Sequence, residues 1–291
     1  MEALSRAWGW LRRHALPIYA GLAVAYMLIP IIVIAVFSFG DTPKDKLTFS
    51  LDNGFTTEYW SSAFSIPELN EALLTSLRLA AFSTVISTAI GTLMAIALVR
   101  YRFRGSRVAN LLIVIPMATP EVVIGASLLS MFIYYSFALG FGTLLIAHVM
   151  FSISFVVVVV RSRLIGFDRH LEEAAADLGA TPLATFRTVT LPLLAPGILA
   201  AAMLAFALSI DDFVISNFNS GTTVTFPLYV FGVALRGIPV QVNVLATMLF
   251  AVTVIAVALV LVQQRRAERM AAVRPEPATP APAPAPRVAT S

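Results

Sequence analysis

Six long apolar stretches with almost no charge constrain the fold of this chain more than any other feature. A helix needs about 20 apolar residues to cross roughly 30 Å of hydrocarbon. The chain of 291 residues is 58% hydrophobic and only 12% charged, which is more apolar surface than a soluble domain of this size can cover. The sequence therefore predicts an all-α, polytopic membrane protein with six transmembrane helices. The predicted spans are residues 17–38, 79–99, 108–134, 143–160, 194–214 and 242–263.

The distribution of Lys and Arg predicts the orientation, because basic residues accumulate in cytoplasmic loops. They occur before the first span, after the second and fourth spans, and in the tail. Apart from Arg78 at the mouth of the second span, the alternate loops hold only Lys44, Lys46 and Arg236, and the first of these loops is acidic. We therefore expect both termini to lie in the cytoplasm. The positive net charge follows from this asymmetry and requires no nucleic-acid partner.

The two ends of the chain are predicted to lie outside the membrane domain. Residues 1–16 form a cytoplasmic amino terminus, and residues 17–265 form the membrane domain, with no soluble enzyme domain attached. The first apolar run is too long for a cleaved signal peptide and lacks a small-residue cleavage site. Residues 266–291 form a cytoplasmic tail, in which the Pro/Ala tract 275–291 is expected to be disordered.

The loop between the fourth and fifth spans, residues 161–193, carries a helix–glycine–helix pattern and is called the elbow below. Asp168 is placed to cap a helix over 169–178, and Gly179 follows as the residue just past its end. Apolar residues at helical spacing give this helix one smooth face that is suited to a partner. These residues are Leu171, Ala174, Ala175 and Leu178.

A second short helix is expected after the glycine. Thr181 suits its cap and Pro182 its first position, and the helix is predicted to run to about Thr190. Leu191-Pro192 then marks the return of the chain to the membrane as the fifth span.

The elbow resembles the EAA loop of ABC-importer permeases. The pattern is Glu-Ala-Ala at 173–175, three residues, Gly179, nine residues, Val189, one residue, and Leu191-Pro192. In that family the loop forms a coupling helix that docks in a cleft on the cytoplasmic ATPase and transmits its closure to the spans. The resemblance implies this set of coupling residues: Glu173, Ala174, Ala175, Gly179, Ala180, Leu191 and Pro192.

Four further segments narrow the resemblance to the polyamine branch of that family: RYRFRG, TPEVVIGASLL, SIDDFVISNFNSG and VNVLATML. The likeness covers about residues 15–265 and implies a type I ABC-importer permease fold in the bacterial inner membrane. It also implies a second permease subunit, two copies of an ABC ATPase and a periplasmic substrate-binding protein as partners. Related branches carry opines, ferric iron or phosphonates, so these substrates stay open as alternatives.

The chain encodes no energy source of its own. A phosphate-binding P-loop needs Gly-x4-Gly-Lys followed by Ser or Thr, and the two lysines, Lys44 and Lys46, do not fit that pattern. ATP and Mg²⁺ are therefore assigned to the partner ATPase, and this chain is expected to be non-catalytic, without a cofactor or metal. Its histidines lack metal-ligand spacing, and His148 in the fourth span is expected to be packed or hydrogen-bonded.

Glu121 is the first candidate for the substrate path. It lies well inside the predicted third span, roughly 20 Å along the helix, and buried charges in membranes usually face a cavity or a partner. Pro116 and Pro120 precede it and are expected to loosen the helix and free carbonyl oxygens. Polyamines are chains of ammonium groups separated by methylenes. Isolated carboxylates and carbonyl oxygens are suitable acceptors for those ammonium groups. The alternative is a structural ion pair, with Arg78 or with an arginine of the second permease.

Asp211 and Asp212 are the other candidates, near the outer end of the fifth span. Adjacent helical residues point roughly 100° apart, so only one of them is expected to face the path. Acids near a helix carboxyl end are mildly unfavourable, which argues against an ordinary capping role. At least one is predicted to contact substrate at the outer gate, or to anchor the loop 216–226.

Two rival classes of protein remain. A secondary transporter or channel working alone would leave the EAA-like elbow without a purpose. A membrane-embedded enzyme would need a nucleophile, a base and a metal set, and the sequence shows no such combination.

Overall fold

The computed structural model describes residues 2–41, 54–101, 103–234 and 236–272. Over these ranges the chain is helical, apart from loops and one isolated bridge between Gly40 and Phe55. The helices are α1 (Glu2–Phe37), α2 (Glu58–Ser61), α3 (Pro67–Arg100), α4 (Ser106–Ala118), α5 (Glu121–Tyr134), α6 (Phe141–Ile165), α7 (His170–Asp177), α8 (Pro182–Thr185), a π-helical turn (Phe186–Thr190), α9 (Leu191–Ile210), α10 (Val214–Asn219), α11 (Phe226–Ala234) and α12 (Val240–Ala272).

The described helices bear out an all-α membrane protein. Five stretches are long and apolar enough to cross a bilayer, and the pair α4 and α5 makes a sixth if it is counted as one broken span. The five stretches are His14–Phe37, Pro67–Arg100, Phe141–Ile165, Pro182–Ile210 and Val240–Leu259.

The predicted third span, 108–134, is wrong as a single helix. It is broken between Ala118 and Glu121, and the two halves meet at 110°. Proline has no N–H to donate and disfavours helical backbone in the residue before it. Thr119, which precedes Pro120, is accordingly extended, with ψ at 134°. Glu121 is therefore the first residue of a helix and not an interior residue of a continuous one.

The predicted boundary between the elbow and the fifth span also differs. The second elbow helix does not end near Thr190, because the helical run continues from Pro182 to Ile210 through a π-helical turn. Leu191-Pro192 lies inside this run and not at a break. The π turn changes the hydrogen-bond register just before Pro192, so the missing proline N–H falls where the register shifts. The span ends at Ile210, before the predicted residue 214.

The chain divides into two compact units. One contains α1, α2 and α12, with α1 packed on α12 and the rings of Phe39 and Trp60 stacked 5.0 Å apart. The other contains α3 to α11 and is built around α3, α6 and α9. Close packing of α3 on α6 requires Gly91, because a Cβ there would lie 2.6 Å from Cγ1 of Val156.

The ends of the chain depart from the predicted domain limits. Helix α1 begins at Glu2, ahead of the predicted span, and α12 continues to Ala272, into the predicted tail. The residues at 264–272 are mostly Arg, Ala, Glu, Gln and Met, all good helix formers. The Pro/Ala tract 275–291 and the two lysines, Lys44 and Lys46, lie outside the described residues.

Candidate functional site

The first elbow helix, α7, begins next to a local hydrogen-bonded pair. Asp168 accepts the backbone N–H of His170 at 3.0 Å and contacts its imidazole Nδ1 at 2.7 Å. Asp168 thus binds the start of α7 as predicted, although Arg169 occupies the N-cap position. Both side chains are exposed, and their hydrogen bond raises the pKa of His170 and lowers the pKa of Asp168.

A glycine turn ends α7 as the sequence predicts. Gly179 has φ of +84°, in the left-handed region that only glycine adopts without strain. Its N–H donates to the Ala176 carbonyl at 2.9 Å, and the Ala180 N–H donates to the Ala175 carbonyl at 3.0 Å. This is the Schellman pattern of helix ends. Thr181 then accepts the N–H of Ala184 at 3.3 Å and caps α8.

Most of the predicted coupling residues lie at the surface of the elbow. Glu173 and Ala174 are exposed, and so are Leu171 (48%) and Leu178 (89%), which belong to the predicted apolar face of α7. The apolar face of α7 is therefore uncovered in the described part of the chain. Ala175 and Ala180 are half-buried, and Gly179 is exposed at the turn. Leu191 and Pro192 are exposed too, but they belong to the long helical run and not to α7.

Glu172 is a connecting residue that sequence reasoning missed. Its carboxylate Oε1 accepts hydrogen bonds from the Arg100 guanidinium and from the Thr190 hydroxyl. Arg100 is the last residue of α3, and Thr190 is the last residue of the π turn. The one available signal was its position beside Glu173, since neighbouring helical residues face different directions. A cavity of about 270 Å³ adjoins the pair, lined by Arg100, Tyr101, Arg169, Glu172 and Glu173.

Asp212 binds the first turn of α10, the helix that follows the fifth span, although Phe213 occupies the N-cap position. It is buried, and its carboxylate accepts the backbone N–H of Ile215 at 3.2 Å and of Ser216 at 2.8 Å. The prediction that these acids have no capping role is therefore wrong for Asp212, whose bond to Ser216 instead agrees with the alternative of an anchor for the loop 216–226. Asp212 follows the carboxyl end of the fifth span but serves the amino end of α10, where a negative charge is favourable.

A buried polar network surrounds Asp212. His148 Nδ1 lies 2.8 Å from the Ser209 hydroxyl, and Nε2 lies 3.1 Å from the Ser216 hydroxyl and 3.5 Å from Asp212. Ser83 donates to Ser209 at 3.0 Å. The expectation that His148 is hydrogen-bonded is confirmed. Since these side chains come from α3, α6, α9 and α10, the network joins four helices around one imidazole.

Glu121 and Asp211 are the exposed members of the predicted path residues. Glu121 makes no side-chain hydrogen bond or ion pair with the other described residues, so the proposed pair with Arg78 is not formed there. Asp211 is exposed just after the last residue of α9. Helix α5 is held near α10 through Asn219, whose amide donates to the Gly125 carbonyl at 3.2 Å. Two of the three predicted acids are therefore exposed, whereas the third, Asp212, is buried.

The helical bundle and the elbow define a class, the membrane permeases with the type I ABC-importer fold. A bacterial ABC transporter for the acidic polysaccharide alginate shares this fold with a TM-score of 0.63 over 91% of this chain and 99% of that chain, at 16% identity. An amino acid ABC transporter matches with a TM-score of 0.56 over 73% of this chain and 100% of that chain, at 19% identity.

Sequence similarity narrows the class to one family. Residues 87–269 match the family described as "Binding-protein-dependent transport system inner membrane component". This chain belongs to that family, as the resemblance of the elbow predicted.

Curated relatives cover most of the chain. The spermidine/putrescine transport system permease protein PotC of Haemophilus influenzae is 39% identical over 82% of this chain and 91% of the relative. PotC of Escherichia coli K12 is 40% identical over 80% of this chain and 87% of the relative. The putrescine transport system permease protein PotI of the same organism is 36% identical over 78% of this chain and 83% of the relative.

Proposed function

We propose that this chain is a permease subunit of an ATP-driven importer that takes up spermidine, putrescine or both across the bacterial inner membrane. The observation that carries the proposal is identity of about 40% to spermidine/putrescine permeases over four fifths of the chain. The exposed carboxylates of Glu121 and Asp211 support it, since a cationic amine needs such acceptors along its route.

The importer is proposed to contain a second permease, two copies of an ABC ATPase and a periplasmic binding protein. The family description, which names dependence on a binding protein, supports that last partner. The exposed apolar face of α7 supports a docking partner at the elbow. ATP and Mg²⁺ are assigned to the ATPase, and this chain is non-catalytic. The arginine-rich loops support an arrangement with both termini in the cytoplasm.

In the proposed cycle, closure of the ATPases pushes on the elbow through the face formed by Leu171, Ala174 and Leu178, with Glu173 beside it. Helix α8, the π turn and α9 form one run, so displacement of the elbow reaches the fifth span directly. The spans then switch between inward-open and outward-open arrangements.

The substrate contacts on this subunit are assigned to Glu121 and Asp211. An ammonium group that meets either carboxylate gains charge-assisted hydrogen bonds, and the methylene chain between ammonium groups suits the apolar helices beside them. Asp212 was a candidate on sequence grounds, but its oxygens already accept two backbone N–H groups. It is therefore assigned to the support of α10.

Uptake of labelled putrescine and spermidine tests this function in cells that express all subunits. We expect Glu121→Gln and Asp211→Asn each to lower uptake by about tenfold, the usual effect of one lost hydrogen bond to a charged group. Glu71→Gln is the matched control, because Glu71 is an exposed acid that makes no side-chain hydrogen bond or ion pair in the described part of the chain. Wild-type complex that assembles but imports neither amine would overturn the polyamine assignment. Unchanged uptake in both acid variants would overturn the site.

A further inference from the structure

Glu172 makes a three-way connection at the elbow. Its carboxylate on α7 accepts from Arg100 at the end of α3 and from Thr190 at the end of the π turn. We propose that Glu172 is a positioning residue that fixes α7 to both long helices, so that a push on the elbow moves them together. This inference rests on the proposed importer function, because it assigns the route by which the ATPase acts on the spans.

The surroundings of the carboxylate favour a firm connection. The side chain of Glu172 is 18% exposed and that of Arg100 is 25% exposed, while Thr190 is only 1% exposed. Partial burial shields the ion pair from water and salt, which weaken exposed pairs. The Thr190 hydroxyl occupies a further acceptor site of the carboxylate, so the loss of Glu172 also leaves a buried hydroxyl without its partner.

No other side chain of α7 makes this connection in the described part of the chain. Glu173, the next residue, is exposed and available to a partner. Among the described residues, the His170 side chain bonds only to Asp168, within the elbow. Arg169, just before α7, reaches the Val99 carbonyl at a long 3.4 Å and leaves the π turn untouched. Glu172 therefore carries the side-chain hydrogen bonds from α7 to both helices.

The position of Thr190 at the end of a π-helical turn also supports a role for Glu172 in coupling the elbow to the spans. A π-helical turn has i→i+5 hydrogen bonds, and such turns often occur at functional sites in helices. Here the turn separates α8 from the long α9, so it is the place at which the elbow and the fifth span could bend relative to each other. The bond from Thr190 to Glu172 restrains that bend, and the bond from Arg100 ties the same point to the second span.

Transport and ATP hydrolysis should be measured on the same proteoliposomes, with the complete complex and its binding protein. We expect Glu172→Gln to lower polyamine transported per ATP hydrolysed by about fivefold, a typical coupling loss. Thr190→Val should lower it less. The charge swap that combines Arg100→Glu with Glu172→Arg should restore the ratio to within about twofold, since the swapped pair recreates the link.

Asp177→Asn is the matched control, because Asp177 is exposed at the end of the same helix and makes no side-chain hydrogen bond or ion pair in the described part of the chain. It should keep the wild-type ratio. A wild-type ratio in Glu172→Gln overturns the proposal. So does a charge swap that assembles normally and stays as uncoupled as Arg100→Glu alone.

A second measurement tests the connection through Glu172 between α7 and α3 independently of transport. This chain has no cysteine, so spin labels placed through Ala176→Cys on α7 and Leu93→Cys on α3 meet no background from it. The distance between the labels should have one narrow distribution in the wild-type background and a broad one with Glu172→Gln. Equal widths would overturn the proposal. Absence of polyamine uptake in wild-type vesicles would overturn the proposed function, and the label distances would still decide the link.

Discussion

The chain has two pairs of adjacent acids in which the two carboxylates differ in the same way. One pair is Glu172-Glu173 on the elbow, and the other is Asp211-Asp212, just past the far end of the helical run from Pro182 to Ile210. In each pair one carboxylate is hydrogen-bonded by the protein, and its neighbour is exposed. Residues next to each other in a turn or helix point in different directions, so both cannot serve one partner. Each of these two acidic pairs therefore combines a structural carboxylate with one that is available to a ligand or partner.

The two structural carboxylates differ in what satisfies them. Glu172 is bonded by a cation and a hydroxyl and remains partly accessible. Asp212 is bonded by two backbone N–H groups, with His148 beside it, and is only 9% exposed. A backbone N–H cannot rotate toward another acceptor as a side chain can. Loss of Asp212 should therefore damage the fold, whereas loss of Glu172 should damage the connection between helices.

The largest effect is expected for Asp212→Ala. It leaves two buried backbone N–H groups without their acceptor and removes the carboxylate beside His148, and should lower the free energy of unfolding by about 3 kcal/mol. Asp211→Ala should lower it by less than about 0.5 kcal/mol, because the side chain is exposed. Thermal unfolding of the purified complex in detergent measures both. Equal losses of stability in the two variants would show that Asp211 and Asp212 do not differ in structural role.

A smaller effect is expected for Gly179→Ala at the elbow turn. A Cβ in the left-handed region costs about 1 kcal/mol, and here it strains the Schellman turn that ends α7. Faster hydrogen exchange over residues 170–185, with unchanged global unfolding, would show it. Gly142→Ala is the control, because this helical glycine does not have positive φ and has open space around it. The turn would be unimportant if both variants exchanged like the wild type.

The smallest effect concerns protonation at the start of α7. Asp168 raises the pKa of His170 by accepting its hydrogen bond, so any contribution of this pair is present below the unfolded pKa of about 6.5 and is lost as pH rises through the folded pKa. Asp168→Asn should therefore lower the pKa of His170. Histidine NMR titration in nanodiscs measures it, and an unchanged titration midpoint would show that the pair does not form.

Some of these features could be predicted from the sequence because they depend on local chemistry. The length of the apolar stretches predicted the spans. The elbow turn was predicted from Gly179, Thr181 and Pro182. The break at Pro120 was only partly foreseen, because Pro116 lies within α4 without ending it. Proline alone does not determine whether a helix bends or stops.

The missed contacts depend on residues far apart in the chain. Glu172 and Arg100 are separated by 72 positions, and no spacing rule connects them. The role of Asp212 depends on a helix that starts after the fifth span has ended, and a window limited to that span could not reveal it. Periodicity predicts the helices, but the hydrogen-bond partners of each carboxylate depend on how the helices pack against one another.

The helical run from Pro182 to Ile210 is long enough to act as a lever. Its 29 residues make it about 43 Å long at 1.5 Å per residue. If it pivots near one end, a tilt of about 10° displaces the other end by roughly 7 Å, more than one helical turn. One end lies at the elbow turn and the other at Asp211, so a small rotation at the elbow becomes a displacement larger than a water molecule beside the exposed carboxylates.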